Sequence, residues 1–119
     1  MLLSRSRFVA AVQTYPVRTS HRVHLNPVDL ERILRTHFET AEQNGDAAST
    51  SFGALARLVV RASGRELSVE VTMNPKVSEE VARDTIARYN RFLEEATGYS
   101  AKERARRLRK SATAPGSGD

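Results

Sequence analysis

Residues 54–73 read ALARLVVRASGRELSVEVTM, and this stretch decides the fold. Apolar residues alternate with polar ones on both sides of Ser63-Gly64, a pattern typical of two half-buried strands joined by a two-residue hairpin. A loop at residues 63 and 64 places apolar side chains opposite each other on one face and opposite charges on the other, as cross-strand pairing favours. The predicted pairs are Leu58 with Val69, Arg57 with Glu70, and Arg61 with Glu66.

Two amphipathic helices flank this hairpin. The first opens at Asn26-Pro27, because asparagine is a good N-cap and proline suits the first helical position, and it is expected to fade near Ala41. The second has Ser78 as its N-cap candidate and Gly98 placed for a C-cap. Its apolar stripe includes Phe92, which we expect to be buried against the sheet.

The remaining segments complete the predicted domain organisation. Alternation over residues 15–25 predicts a further strand, whereas residues 1–13 show no period and are interpreted as a flexible N-terminal arm. Residues 42–50 are polar and predict a loop. Ser100 and Glu103 form a capping-box pattern that opens a short basic helix, KERARRLRK, over residues 102–110. The domain is therefore expected over residues 14–110, followed by a disordered tail at 111–119.

These elements predict an α+β fold. We expect a three-stranded antiparallel sheet packed on one face by two helices, plus the short basic C-terminal helix. The chain of 119 residues has no Cys, which excludes disulfide scaffolds, iron–sulfur clusters and thiol nucleophiles. Its apolar runs stay well short of the ~20 residues of a membrane span, so we expect a cytoplasmic protein without membrane contact.

Two blocks of the sequence resemble a known family. They are SFGALARLVVRASGRELSVEVTMN at residues 51–74 and TIARYNRFLEEATGYSAKERARRLRK at residues 85–110, of which YNRFLEEATGYSAKER is the most distinctive part. They look like a small uncharacterised archaeal protein family with a strand–helix–strand–strand–helix layout, and the resemblance covers about residues 15–110. That family has no assigned activity, so the resemblance implies the fold and transfers no catalytic or binding residue.

The sequence offers little catalytic chemistry. His21 and His24 fall on a predicted strand and would point to opposite faces, and His37 on the first helix has a structural interpretation. Phosphate-binding and nucleophile-elbow motifs are absent from the sequence. We therefore expect a protein that is not an enzyme and that has no metal, cofactor or small-molecule ligand.

The charges are distributed unevenly. Residues 1–25 carry +4, residues 26–101 carry −3, and residues 102–110 carry +5. Like charges crowded on one helix repel each other, and a polyanion relieves that repulsion, so the segment is interpreted as a site for the RNA or DNA backbone. The candidate nucleic-acid-binding residues are Lys102, Arg104, Arg106, Arg107, Arg109 and Lys110. The other interpretation of this segment is a solvated helix end whose charges suit the helix dipole.

A second hypothesis is a homodimeric protein-interaction module with no nucleic-acid role. The outward parity of the middle strand places Leu55 and Val59 among Arg57 and Arg61. This face is more apolar than solvation requires, and two such faces could meet across a twofold axis. The expected partner is then a second copy of the chain.

Overall fold

The structure is a computed structural model that describes the backbone of residues 9–113 and the side chains of residues 11–107. An antiparallel five-stranded sheet has the order β1-β5-β4-β3-β2. The strands are β1 (Val9–Pro16), β2 (Glu42–Asn44), β3 (Ala47–Phe52), β4 (Leu55–Ser63) and β5 (Glu66–Met73). The helices are α1 (Pro27–Phe38), α2 (Glu79–Thr97) and α3 (Ala101–Thr113), with a 3-10 helix at Thr19–His24. The α+β class is confirmed, but the sheet has five strands where three were predicted.

The core lies between the sheet and the helices. Leu58 and Val60 of β4 and Leu67 and Val69 of β5 point to the same face and are fully buried. Phe92 of α2 is also fully buried, as predicted. The core residues supplied by the helices are Leu30, Ile33, Leu34, Phe38, Phe92, Leu93 and Ala96. The opposite face of the sheet, called the open face below, carries the polar residues of the same strands.

Both predicted helix caps at the N-termini are confirmed. The Asn26 side chain accepts a hydrogen bond from the Asp29 backbone N–H, and the Ser78 hydroxyl accepts one from that of Val81. Helix α1 ends at Phe38 because Glu39 adopts φ 75° and breaks the helical path. None of the helices within residues 9–113 is both long and apolar enough to cross a membrane.

The hairpin exists, but its predicted register is wrong by two residues. The loop is Gly64-Arg65, so that Ser63 pairs with Glu66 and Leu58 pairs with Val71. Gly64 has φ 64°, a conformation that a two-residue hairpin loop requires and that glycine adopts without steric cost. A shift of two residues keeps the two-residue repeat of each strand, so the side chains from Arg57 onward stay on their predicted faces. The apolar alternation therefore fits both registers, and the charge pairs of Arg57 and Arg61 do not form.

The predicted loop at residues 42–50 is a second hairpin instead. Strands β2 and β3 pair on either side of Gly45-Asp46, and β3 pairs with β4 in turn. The short polar side chains of this stretch have low strand propensity, but pairing with β4 stabilises the extended backbone. The Thr50 hydroxyl, which faces the core side, donates to the Thr40 carbonyl and so loses no hydrogen bond on burial.

The N-terminal predictions are wrong in two places. Residues 9–13, assigned to the arm, belong to the edge strand β1, which pairs with β5 along its whole length. The predicted strand over residues 15–25 stops at Pro16 and is followed by the 3-10 helix. There the His21 N–H donates to the Arg18 carbonyl and the Leu25 N–H donates to the Arg22 carbonyl. These local hydrogen bonds take the place of the strand-to-strand hydrogen bonds that a sheet would provide. Residues 1–8 of the arm and 114–119 of the tail lie outside the described residues, and 111–113 belong to α3.

The apolar open face expected around Leu55 and Val59 is absent. The register between β4 and β5 shifts between Leu55 and Arg57, as at a β-bulge, and this extra residue turns Leu55 into the core. Leu55 is 2% exposed and Val59 is 9% exposed. The reason given for dimerisation through this face therefore disappears.

Two glycines have similar backbone conformations, but we expect their replacement by alanine to lower the free energy of unfolding by different amounts. Gly53 has φ 53°, and a Cβ there would lie 2.3 Å from the Thr85 hydroxyl oxygen, whereas a Cβ on Gly64 would meet open space. We expect Gly64→Ala to cost about 1–2 kcal/mol, the penalty for left-handed backbone. Gly53→Ala should cost at least ~1 kcal/mol more, because it displaces the hydroxyl that accepts from the Ala54 N–H. Equal losses in chemical denaturation of the two variants would contradict this packing.

Candidate nucleic-acid interface

The turn between α2 and α3 is built by local sequence signals. Gly98 ends α2 in a left-handed conformation with φ 82°. Ser100 and Glu103 then start α3 with reciprocal hydrogen bonds, since each backbone N–H donates to the side chain of the other residue. This is the predicted capping box, and it is confirmed. It fixes the direction in which α3 leaves α2 and hence where its basic side chains lie.

Arg18 is bound to the end of α2. Its backbone N–H donates to the Thr97 carbonyl at 2.8 Å, and its Nε donates to the Gly98 carbonyl at 3.0 Å. These carbonyls belong to the negative end of the helix dipole, where a cation is stabilising. Arg18 is thereby held beside the start of the basic C-terminal helix.

Tyr99 is the point at which the two basic parts meet. The guanidinium carbon of Arg18 lies 4.6 Å from the centre of the Tyr99 ring, and that of Arg107 lies 4.2 Å from it. Both distances are within the range of cation–π attraction. A guanidinium over a ring keeps N–H donors at its edge; Arg18 uses its Nε for the Gly98 carbonyl, which leaves its Nη groups for a phosphate.

We call the two arginines at this ring, together with the exposed cationic side chains of the 3-10 helix and of α3, the terminal basic surface. Arg22 extends it along the 3-10 helix, and Lys102 and Arg106 extend it along α3. Its members are Arg18, Arg22, Lys102, Arg106 and Arg107, all of which are exposed.

One carboxylate lies within the terminal basic surface. Glu103 Oε2 is 3.7 Å from Arg18 Nη2. The hydrogen bond from the Ser100 backbone N–H, helped by the charge of Arg18, holds the pKa of Glu103 below its usual value. Glu103 is therefore ionised at neutral pH and subtracts one charge from the surface.

Arg104 does not belong to the surface. It is 3% exposed, and its guanidinium donates to the Tyr99 carbonyl at 2.7 Å and to Asn90 Oδ1 at 2.9 Å. It also lies 5.9 Å from the centre of the Tyr15 ring. Burial lowers the pKa of Arg104, although an arginine remains charged at neutral pH. The structure thus corrects the prediction for this residue, whose donors attach α3 to α2 and to the turn between them and whose guanidinium contacts β1 at the Tyr15 ring.

The other sequence-predicted residues divide into two groups. Lys102, Arg106 and Arg107 are exposed on α3, where Arg107 shares the Tyr99 ring with Arg18, whereas the side chains of Arg109 and Lys110 lie outside the described ones. The sequence analysis missed Arg18, Arg22 and Tyr99. The net charge of residues 1–25 was a signal for the two arginines, but the contact of Arg18 with α2 depends on a 3-10 helix that the alternation concealed.

His21 and His24 occupy positions different from those predicted, whereas His37 lies on the first helix as predicted. His21 and His24 lie on the 3-10 helix, where side chains three residues apart eclipse, and their ring centres are 5.9 Å apart. His37 Nε2 is 2.7 Å from Glu95 Oε1 and joins α1 to α2. Within the part of the chain that the structure describes, three or more potential metal ligands do not cluster anywhere.

The comparisons with known proteins agree with the expected resemblance. A family model described as a domain of unknown function (DUF5611) matches residues 12–110. The chain is also similar to the NMR solution structure of a hypothetical protein from Thermoplasma acidophilum, an archaeon. The two chains share 26% identity with a TM-score of 0.52, over 80% of this chain and 95% of the other. No curated protein matches the chain.

Proposed function

We propose that the chain, which belongs to the domain of unknown function family DUF5611, is a non-enzymatic protein that binds the phosphate backbone of RNA or DNA. The contact is made by the terminal basic surface. The observation that carries the proposal is the pair of guanidinium ions, Arg18 and Arg107, held over the Tyr99 ring. They come from opposite ends of the sequence, and folding brings both charges to the same aromatic ring.

Electrostatics support this proposal. Residues 26–101 have a net charge of −3, so the positive charge of the protein is concentrated in its terminal segments. Cations held close together repel each other, and the phosphates of a nucleic acid neutralise this repulsion. Binding also releases the counterions of the nucleic acid, which favours the complex. Arginine is suited to this role because its planar fork matches two phosphate oxygens.

The same geometry predicts weak sequence specificity. Phosphate contacts fix the position of a nucleic acid and carry no base information. Sequence-specific RNA recognition usually adds aromatic rings on which bases stack, but Tyr99 is 8% exposed and is already covered by two arginines. We therefore expect similar relative losses for any RNA or DNA sequence when a surface cation is removed.

Point variants test the proposal by fluorescence anisotropy with random-sequence RNA and duplex DNA. Arg107→Gln should weaken binding about 10-fold at ~50 mM salt and reduce the salt slope on duplex DNA by about 0.9, the effect of one phosphate contact. Glu103→Gln should strengthen binding about 2–5-fold, because it removes the carboxylate beside Arg18 while glutamine preserves the capping box.

The matched control is Arg57→Gln. Arg57 is an exposed arginine on the open face of β4, so its removal makes the same change in net charge outside the terminal basic surface. We expect it to change affinity less than about 2-fold. Equal losses for Arg57→Gln and Arg107→Gln, or no binding by the intact protein at ~50 mM salt, would contradict the proposal. Truncation of α3 is unsuitable as a test because it also removes the buried Arg104.

A further inference from the structure

The two edges of the sheet differ in a way that bears on self-association. Strand β2 is a short edge of three residues and carries the exposed Glu42. Strand β1 is eight residues long, and its sequence VAAVQTYP contains no charge. Natural sheets usually protect a long edge with charges, bulges or early prolines, since exposed backbone groups can pair with another strand. Among the described residues, β1 has a neighbouring strand on one side alone.

The register shows which backbone groups of β1 point outward. Ser63 and Glu66 close a two-residue loop and are therefore a hydrogen-bonded pair. Hydrogen-bonded and non-hydrogen-bonded pairs alternate along an antiparallel ladder. The backbone groups of the even-numbered residues of β5 therefore bond to β4, and those of the odd-numbered residues bond to β1. Their partners in β1 are odd-numbered too, as Tyr15 opposite Leu67 shows. The residues of β1 whose backbone groups point away from β5, toward the free edge of the sheet, are then Ala10, Val12, Thr14 and Pro16.

We propose that β1 pairs with β1 of a second copy of the chain, in antiparallel orientation about a twofold axis. Val12 lies opposite Val12 of the second copy, and Ala10 lies opposite Thr14. Each outward N–H and C=O of these three residues then finds a partner, which gives about six new hydrogen bonds. Pro16, which has no N–H, falls outside this register and does not interrupt it. The product is one continuous sheet of both copies.

The side chain of Val12 supports the same register. It is 70% exposed, the highest value among the large hydrophobic residues that the structure describes. In a hydrogen-bonded antiparallel pair the two Cα atoms are about 5.5 Å apart, so the two Val12 side chains would cover each other at the twofold axis. The strand itself carries no charge, so the pairing of residues 10–14 places no like charges opposite each other. The occupant of this edge is therefore a second β1.

The test is the mass of the full chain by size-exclusion chromatography with light scattering, from micromolar to about millimolar concentration. We expect the mass to rise toward twice the 13.2 kDa of one chain. Val12→Lys should hold the mass at one chain throughout, because it places two ammonium groups across the axis. Val23→Lys is the matched control, since Val23 is a 68% exposed valine on the 3-10 helix, and it should dimerise like the unmodified chain.

Val12→Pro provides a second variant in case the charge disturbs folding. The Val12 N–H points away from β5, so its loss should spare the β1–β5 ladder and remove the central bonds of the dimer. Circular dichroism should show both Val12 variants folded, and both should be monomeric. A monomeric unmodified chain at millimolar concentration, or a dimer that survives both substitutions, would overturn the proposal.

Discussion

Phe92→Ala is expected to lower the free energy of unfolding by ~3–5 kcal/mol. The Phe92 ring is fully buried between α2 and the sheet, with its centre 6.2 Å from that of Phe38. Its removal loses the transfer free energy of the ring and leaves a cavity that rigid neighbours fill incompletely. Since a small domain has a stability of about 5–15 kcal/mol, thermal denaturation should show a Tm lower by at least about 12 °C.

The matched control for Phe92→Ala lies on the same helix. Ile86 is 50% exposed, so Ile86→Ala should cost less than about 1.5 kcal/mol although it also removes a large apolar side chain. An unchanged Tm for Phe92→Ala, or an equal loss for the two variants, would show that α2 presents a different face to the sheet.

Arg104→Met is expected to cost about 3 kcal/mol, the second-largest effect. The guanidinium makes two hydrogen bonds, and bonds from a charged donor contribute about 1.5–3 kcal/mol each. Methionine approximates the length of the side chain but leaves the Tyr99 carbonyl and Asn90 Oδ1 without this donor. We expect α3 to lose its attachment to α2, which urea denaturation would measure as lower stability and hydrogen exchange as faster exchange in α3.

Arg106→Met separates this structural role from the loss of charge. Arg106 is exposed on the same helix, and its replacement should change stability by less than about 0.5 kcal/mol while it weakens nucleic-acid binding. If Arg104→Met instead kept full stability and lost only affinity for RNA and DNA, the buried position of Arg104 would be contradicted.

The sequence predicted the elements whose signals are local and repeated. Helix α2 has an N-cap at Ser78, a C-cap at Gly98 and an apolar stripe through Phe92, and each of these acts within a few residues. The hairpin was found because alternation persists on both sides of a glycine. Its register was not determined, because strands repeat every two residues and a shift of two leaves the pattern unchanged.

The missed strands depend on neighbours rather than on their own residues. Strands β1 and β3 contain many alanine, serine and threonine side chains, and they are extended because β5 and β4 offer paired backbone groups. For a related reason, the sequence predicted only the part of the candidate site that lies on α3. Charge identified α3, but the place of Arg18 beside Tyr99 is a tertiary contact, and so is the contact of the buried Arg104 with Tyr15 of β1.

The location of the bound nucleic acid tests the central claim most directly. A short random-sequence RNA would be titrated into isotope-labelled full-length protein at ~50 mM salt, and backbone amide shifts would be followed by NMR. We predict that the largest shifts fall in two segments distant in sequence, residues 18–22 and residues 99–107, and that they progress together with one affinity. Shifts centred on the open face of the sheet, or confined to α3 without residues 18–22, would contradict the terminal basic surface as the binding site.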